Sequence, residues 1–415
     1  MSDHSVQSCV FDNGLTLLVE PMRAVQSAAF SLAVPAGVVY EDEGQNGASA
    51  VLCDLMVRGA GEFDNRALSD RLDHLGLQRS ESVGWNHVSF SGAALAENLI
   101  PALGLYADIV RRPHLPPEQF LAVLTGVEQS LRATEDEPRQ KVIIELRRRC
   151  YDSPWGRPTD GSLVDLPNIS LATVRELYTQ CVRPNGTILA VAGNVEFEAV
   201  RDAIASAFGD WQSAPDVPII RSGRGPRRDH IPLDSNQTHI GLAYEAVPYR
   251  DNDYYVAWAA VSVLSGGSSS RLFTEVRERR GLCYSVYATL NSMLEEGRVL
   301  AYAGTSPERA QETVNVMVEE IRKLAAGIDA AELDRCKAGA KSALIMQQES
   351  TSARASSIAR DWFHLGRIVP LEEVHRRIDE LTVSDVLRYA REHPALDLTL
   401  LTIGPESLEV PDVVS

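Results

Sequence analysis

The sequence predicts an α+β chain of two similar, duplicated α/β sandwich domains, each a mixed, mostly antiparallel sheet with helices packed on one face. Three observations predict it. The chain has 415 residues, too many for one ordinary core and suited to two. Its halves repeat: "LPPEQF" from Leu115 matches "IDAAEL" from Ile328, and "VSFSGA" from Val88 matches "LAYAGT" from Leu300, at a near-constant offset of about half the chain. Strand runs and helix pairs recur within each half, the pattern of a sheet on one side and helices on the other.

The elements follow in order. Residues 28–37 ("AAFSLAVPAG") alternate as a strand, and 47–58 read as a helix. Residues 64–76 place Leu68, Leu72 and Leu75 on one helical face. Residues 77–86 and 87–95 are strands, and two long helices follow over 98–113 and 116–138. The second half repeats this order. Residues 238–247 are a strand, 253–266 an apolar helix ending in glycines, and 269–281 a helix closed by Gly281. Residues 283–305 are a hairpin, and 307–327 and 329–348 are helices. Residues 213–233, rich in Pro, Gly, Ser and Arg without a periodic apolar face, have linker composition. The domains are therefore expected at 1–212 and 234–415.

Composition narrows the function. Forty basic against 57 acidic residues give a net charge of −17, which disfavours nucleic acid or an anionic membrane as partner. The arginines at 221, 224, 227 and 228 suit a solvated linker, since no aromatics interleave with them. Six cysteines at wide, irregular spacing, with no C-x-x-C pair, form neither a disulfide framework nor a zinc ribbon. No basic leader with an apolar core opens the sequence, and no run approaches membrane-spanning length, so a cytoplasmic setting is expected.

Three segments carry a family resemblance: "FDNGLTLLVEP", "PAGVVYEDEGQNGASAVLCDLMVRGAG" and "LSGGSSSRLFTEVRERRGLCYSVYA". Together they resemble the pitrilysin-type zinc peptidases, the inverzincins, and especially their branch resembling the mitochondrial processing peptidase. An active member carries H-x-x-E-H on the first helix. Two histidines four apart share a helical face and can grip one zinc ion, while the glutamate takes a proton from the bound water. Aligned on the resemblance, these positions are Ala50, Cys53 and Asp54, a degenerate zinc motif. The family's third ligand, a glutamate, falls near Glu128 or Gln129. None of the nine histidines stands four residues from another. Cys53, in an apolar helix, reads as a buried structural thiol.

The resemblance also implies a second-domain pair, an arginine and a tyrosine seven residues later, which match Arg277 and Tyr284. In the family these clamp substrate carbonyls and donate a hydrogen bond to the oxyanion of the tetrahedral intermediate. Gly266 and Gly267 lack the Lys-Ser/Thr of a P-loop. They are either a flexible substrate loop near the cleft, as the resemblance implies, or a permissive helix–helix turn. The chain is thus expected to be the catalytically incomplete subunit of a heterodimeric zinc metallopeptidase, inactive alone. It would hold no cofactor itself; zinc would belong to a similarly folded partner, and the substrate would be a peptide. The alternative is a structural or peptide-binding subunit resembling the core proteins of respiratory complexes.

Overall fold

The computed structural model describes residues 6–411 and divides into two compact units. Of the described residues, the first gathers 6–133, 157–221 and 346–368, and the second 134–156, 222–345 and 369–411. This interleaving departs from the contiguous halves expected at 1–212 and 234–415. The chain crosses between units five times rather than once.

The first unit is built on a six-stranded sheet of β1 (Gln7–Val10), β2 (Thr16–Pro21), β3 (Ser27–Pro35), β4 (Gln78–Val83), β5 (His87–Leu95) and β6 (Ile188–Gly193), in the order β1-β2-β6-β3-β5-β4. Only β2 and β6 run parallel. Alternation decides what covers each face. Leu17, Val19, Phe30, Leu32, Leu189 and Val191 point into the main core, against helices that include Ala48–Met56, Ala96–Arg111 and Phe197–Phe208. Leu18, Ile188 and Ala190 point the other way and meet Ile358 and Ala359 of the helix Thr351–Leu365. That helix comes from the far end of the chain. Its Arg354 reaches through the packing to Glu20 on β2 in a buried ion pair of 2.8 Å.

The second unit repeats the arrangement with β7 (Arg228–Pro232), β8 (Thr238–Ala246), β9 (Cys283–Ser292), β10 (Gly297–Thr305) and β11 (Thr399–Gly404), in the order β9-β10-β8-β11-β7. Again one pair, β7 and β11, is parallel and the rest antiparallel. Strand for strand this is β4-β5-β3-β6-β2, so the repeat seen in sequence is a repeat of topology. The strand β7 lies inside the stretch expected as linker. Ile240, Leu242, Val299 and Leu400 pack into the core with Val261, Leu264, Val314 and Met317. The opposite face takes the helix Pro138–Cys150, supplied by the first half of the chain. Gly241 permits this: a Cβ there would lie 3.2 Å from Val142 and 3.3 Å from Leu146. Arg149 of that helix bonds Asp229 on β7 at 2.6 and 2.8 Å. Each sheet is therefore covered on its second face by a helix from the other half of the sequence.

Candidate functional site

The helix Ala48–Met56 begins on a buried carboxylate that sequence reading passed over. Glu41 accepts from the backbone N–H groups of Gly47 (3.2 Å) and Ser49 (2.8 Å) and from the Asn46 amide (2.8 Å). These bonds satisfy orphan donors of the first turn. Burial still pushes the Glu41 carboxyl upward. Gly47 supplies the φ of +121° at which the chain enters the helix.

The three positions of the degenerate motif do not fit zinc. Ala50 has no ligand atom. Cys53 is 5% exposed, and burial, followed by the nearby Glu81 and Asp54 carboxylates, pushes its thiol up to about 12, against the deprotonation that a metal ligand needs. Asp54 is engaged by Arg58 through bonds of 2.8 and 3.2 Å. Glu128 is held by Arg132 at 2.9 and 2.7 Å, and Gln129 is exposed. Among the described residues no three His, Cys, Asp or Glu side chains converge as a metal site; His4 lies outside those residues. Beside Cys53 sit two groups that sequence reasoning missed, Glu81 on the edge strand β4 and the fully buried Tyr106. Neither Glu81 Oε1 nor the Tyr106 hydroxyl has a hydrogen-bond partner among the described residues. Burial raises both groups. No local pattern marks them, since one lies on a strand and the other on the helix Ala96–Arg111, and only the fold brings them together.

In the second unit the sequence-predicted residues come together. Gly266 ends the helix Tyr254–Ser265, its N–H bonding Ser262 O at 2.6 Å; a Cβ there would sit 2.5 Å from that oxygen. Gly267, at φ +153°, turns the chain, and its carbonyl accepts from the Ser270 hydroxyl at 2.6 Å. The two glycines thus join two helices, beside a small cavity of about 130 Å³ lined in part by Ser269, Ser270 and Arg335.

The helix that follows widens into a π-helical stretch, Phe273–Arg279. Such stretches are rare and concentrate at functional sites. Gly281, at φ +60°, closes it, and the Leu282 N–H returns to Val276 O at 2.9 Å. The strand β9 then starts with a bulge. Cys283 pairs with Thr305 and Ser285 with Gly304, which leaves Tyr284 as the extra residue. A bulge of this kind re-aims a side chain, and Tyr284 is 84% exposed on an edge strand. The half-buried Arg277 guanidinium lies between two rings, 4.7 Å from the centroid of Phe273 and 5.2 Å from that of Tyr284. Such cation–π contacts orient a guanidinium without neutralising it. Arg279 spends its charge on Glu275, whereas Arg277 has no carboxylate partner among the described residues. The Tyr284 hydroxyl makes no hydrogen bond within them. The arrangement is a directed cation beside a neutral hydroxyl donor, both open to a ligand.

Comparison with known proteins adds to this. The family profile described as peptidase M16 inactive domain matches residues 168–340, and that of insulinase, peptidase family M16, matches residues 17–160. An uncharacterized zinc protease of Mycobacterium bovis is 28% identical over 403 residues, covering 94% of this chain and 91% of its own. One from Rickettsia felis is 24% identical, covering 95% and 97%. Among solved structures, a peptidase M16 inactive domain from Pseudomonas fluorescens superposes with a TM-score of 0.88 at 23% identity, covering 98% of this chain and 99% of that one. A chain of complex III2 from Candida albicans gives 0.81 at 20%, covering 97% and 96%. At these identities the structures speak to fold alone. No helix among the described residues is long and apolar enough to cross a membrane.

Proposed function

This chain belongs to peptidase family M16, the pitrilysin-like zinc peptidases, and from that premise we propose that it is the non-zinc subunit of a heterodimeric peptidase. Zinc belongs to a similarly folded partner with an intact H-x-x-E-H helix; the positions of Ala50, Cys53 and Asp54 give this chain no site for it. Its own contribution is the Arg277–Tyr284 pair. The Tyr284 phenol donates a hydrogen bond to the oxyanion that forms on the scissile carbonyl, and Arg277 binds backbone carbonyls of the substrate. A phenol is neutral at pH 7 and donates without bringing charge. The observation that carries this reading is the joint presentation of the two side chains: seven residues apart, in ring contact, and with their polar groups unspent.

The test is reconstitution with a zinc-bearing partner. The single chain should hydrolyse no peptide, and the pair should. In the pair, Tyr284→Phe should lower kcat by about 10²–10³. An unchanged rate in an Arg277→Ala, Tyr284→Phe double variant would instead make the chain a structural or peptide-binding subunit. Hydrolysis by the lone chain would overturn both readings.

A further inference from the structure

We propose that the second unit carries a binding site for a single-chain amphiphile with a carboxylate head, independent of the Arg277–Tyr284 pair. The site is a cavity of about 640 Å³ beneath the sheet. Its floor and walls are the buried side chains of Tyr244, Val261, Val299, Ile321, Tyr389 and Ala390. Close-packed interiors seldom leave such a space. An apolar recess of this size with a few polar side chains among its lining residues is the usual form of a small-molecule pocket.

The polar groups in and next to the lining differ in what they have left to give. Lys323 is tied to Glu319 (2.7 Å) and Glu320 (2.9 Å), and Arg322 donates to Pro411 O at 3.1 Å. The ring of the lining residue His393 stacks on Tyr389 at 4.6 Å, and its nitrogens have no hydrogen-bond partner among the described residues. The exposed Arg391, outside the lining itself, spends only Nε, on the carbonyl of the lining residue Ala325 at 3.2 Å. The His393 imidazole in the lining and the Arg391 guanidinium held against the lining carbonyl of Ala325, in a chain of net charge −17, fit an anionic head, with Arg391 offering its two terminal nitrogens. An aliphatic chain inside displaces water from the apolar walls. Leu396, 60% exposed at the lip, extends the apolar surface outward.

The experiment is calorimetric titration of the full chain with decanoate below its critical micelle concentration, with decan-1-ol alongside. One saturable site is expected for both. The Arg391→Ala, His393→Ala double variant should weaken decanoate about tenfold and leave decan-1-ol unchanged. Ala390→Phe, which fills the recess, should weaken both about tenfold. Decanoate with a terminal diazirine, photolysed on the unaltered protein and mapped by mass spectrometry, keeps the test open should the filled variant not fold; cross-links should fall on lining residues such as Val299 or Tyr389. Absence of a saturable site, undiminished binding to a folded Ala390→Phe, equal losses of both ligands in the double variant, or cross-links elsewhere would each overturn the proposal.

Discussion

Tyr284 is exposed because β9 carries one residue more than β10 at that point. With its ring in solvent, Tyr284→Phe should change unfolding free energy by less than about 0.5 kcal/mol, measured by urea denaturation. That separates any catalytic effect in the assembled pair from damage to the fold. The spacing of Arg277 and Tyr284 was legible in the sequence, and so was Gly281 as a helix stop. The bulge and the π-helical widening were not, because each inserts an extra residue into a regular pattern and leaves no period of its own. His87 was equally opaque. It lies half-buried on β5, its ring 4.8 Å from that of Phe363 and its Nε2 3.3 Å from Gly186 O. Burial first, then Arg183 and His364, lower its pKa to about 4. A histidine held neutral in the fold and free to protonate when unfolded gives stability that is complete above pH 6.5 and lost as pH falls through about 4. Urea midpoints across that window should fall with a contribution of up to about 1.4 kcal/mol per pH unit, and His87→Gln should flatten the slope.

Among elements, the helix Thr351–Leu365 is held to its sheet by more than apolar packing. Arg354 and Glu20 are 6% and 3% exposed, and removing one partner strands the other's charge. Arg354→Ala should therefore cost about 3–5 kcal/mol, whereas Arg354→Met combined with Glu20→Leu should recover most of it. A double variant as unstable as the single one would contradict this account. The elements that sequence reading found were those with a clean period: the leucine-faced helix Asn65–His74 and the strands β5 and β8 end within two residues of expectation. The strand β7 went unseen because an edge strand of five residues that ends in Pro232 alternates too briefly to stand out from its Pro- and Gly-rich surroundings.

For the whole molecule, duplication was readable and the exchange of helices was not. Repeats preserve spacing along the chain, and nothing in an amphipathic helix states which of two equivalent sheets it will cover. The physical consequence is that residues 1–212 lack the helix Thr351–Leu365, and residues 213–415 lack Pro138–Cys150. Expressed separately, each half should bind a hydrophobic dye and melt without a sharp transition by circular dichroism, while the mixed halves regain a cooperative one. A half that unfolds cooperatively alone at the full chain's midpoint would show its borrowed helix to be dispensable.

The same exchange sets an order on biosynthesis. As the polypeptide leaves the ribosome, the strands Thr16–Pro21, Ser27–Pro35 and Ile188–Gly193 are already made, yet the segment that must lie across Leu18, Ile188 and Ala190 is still untranslated. Through the synthesis of residues 222–350 the nascent chain presents that greasy patch to the cell, a standing invitation to a holdase chaperone until the arm carrying Ile358 and Ala359 emerges and closes it.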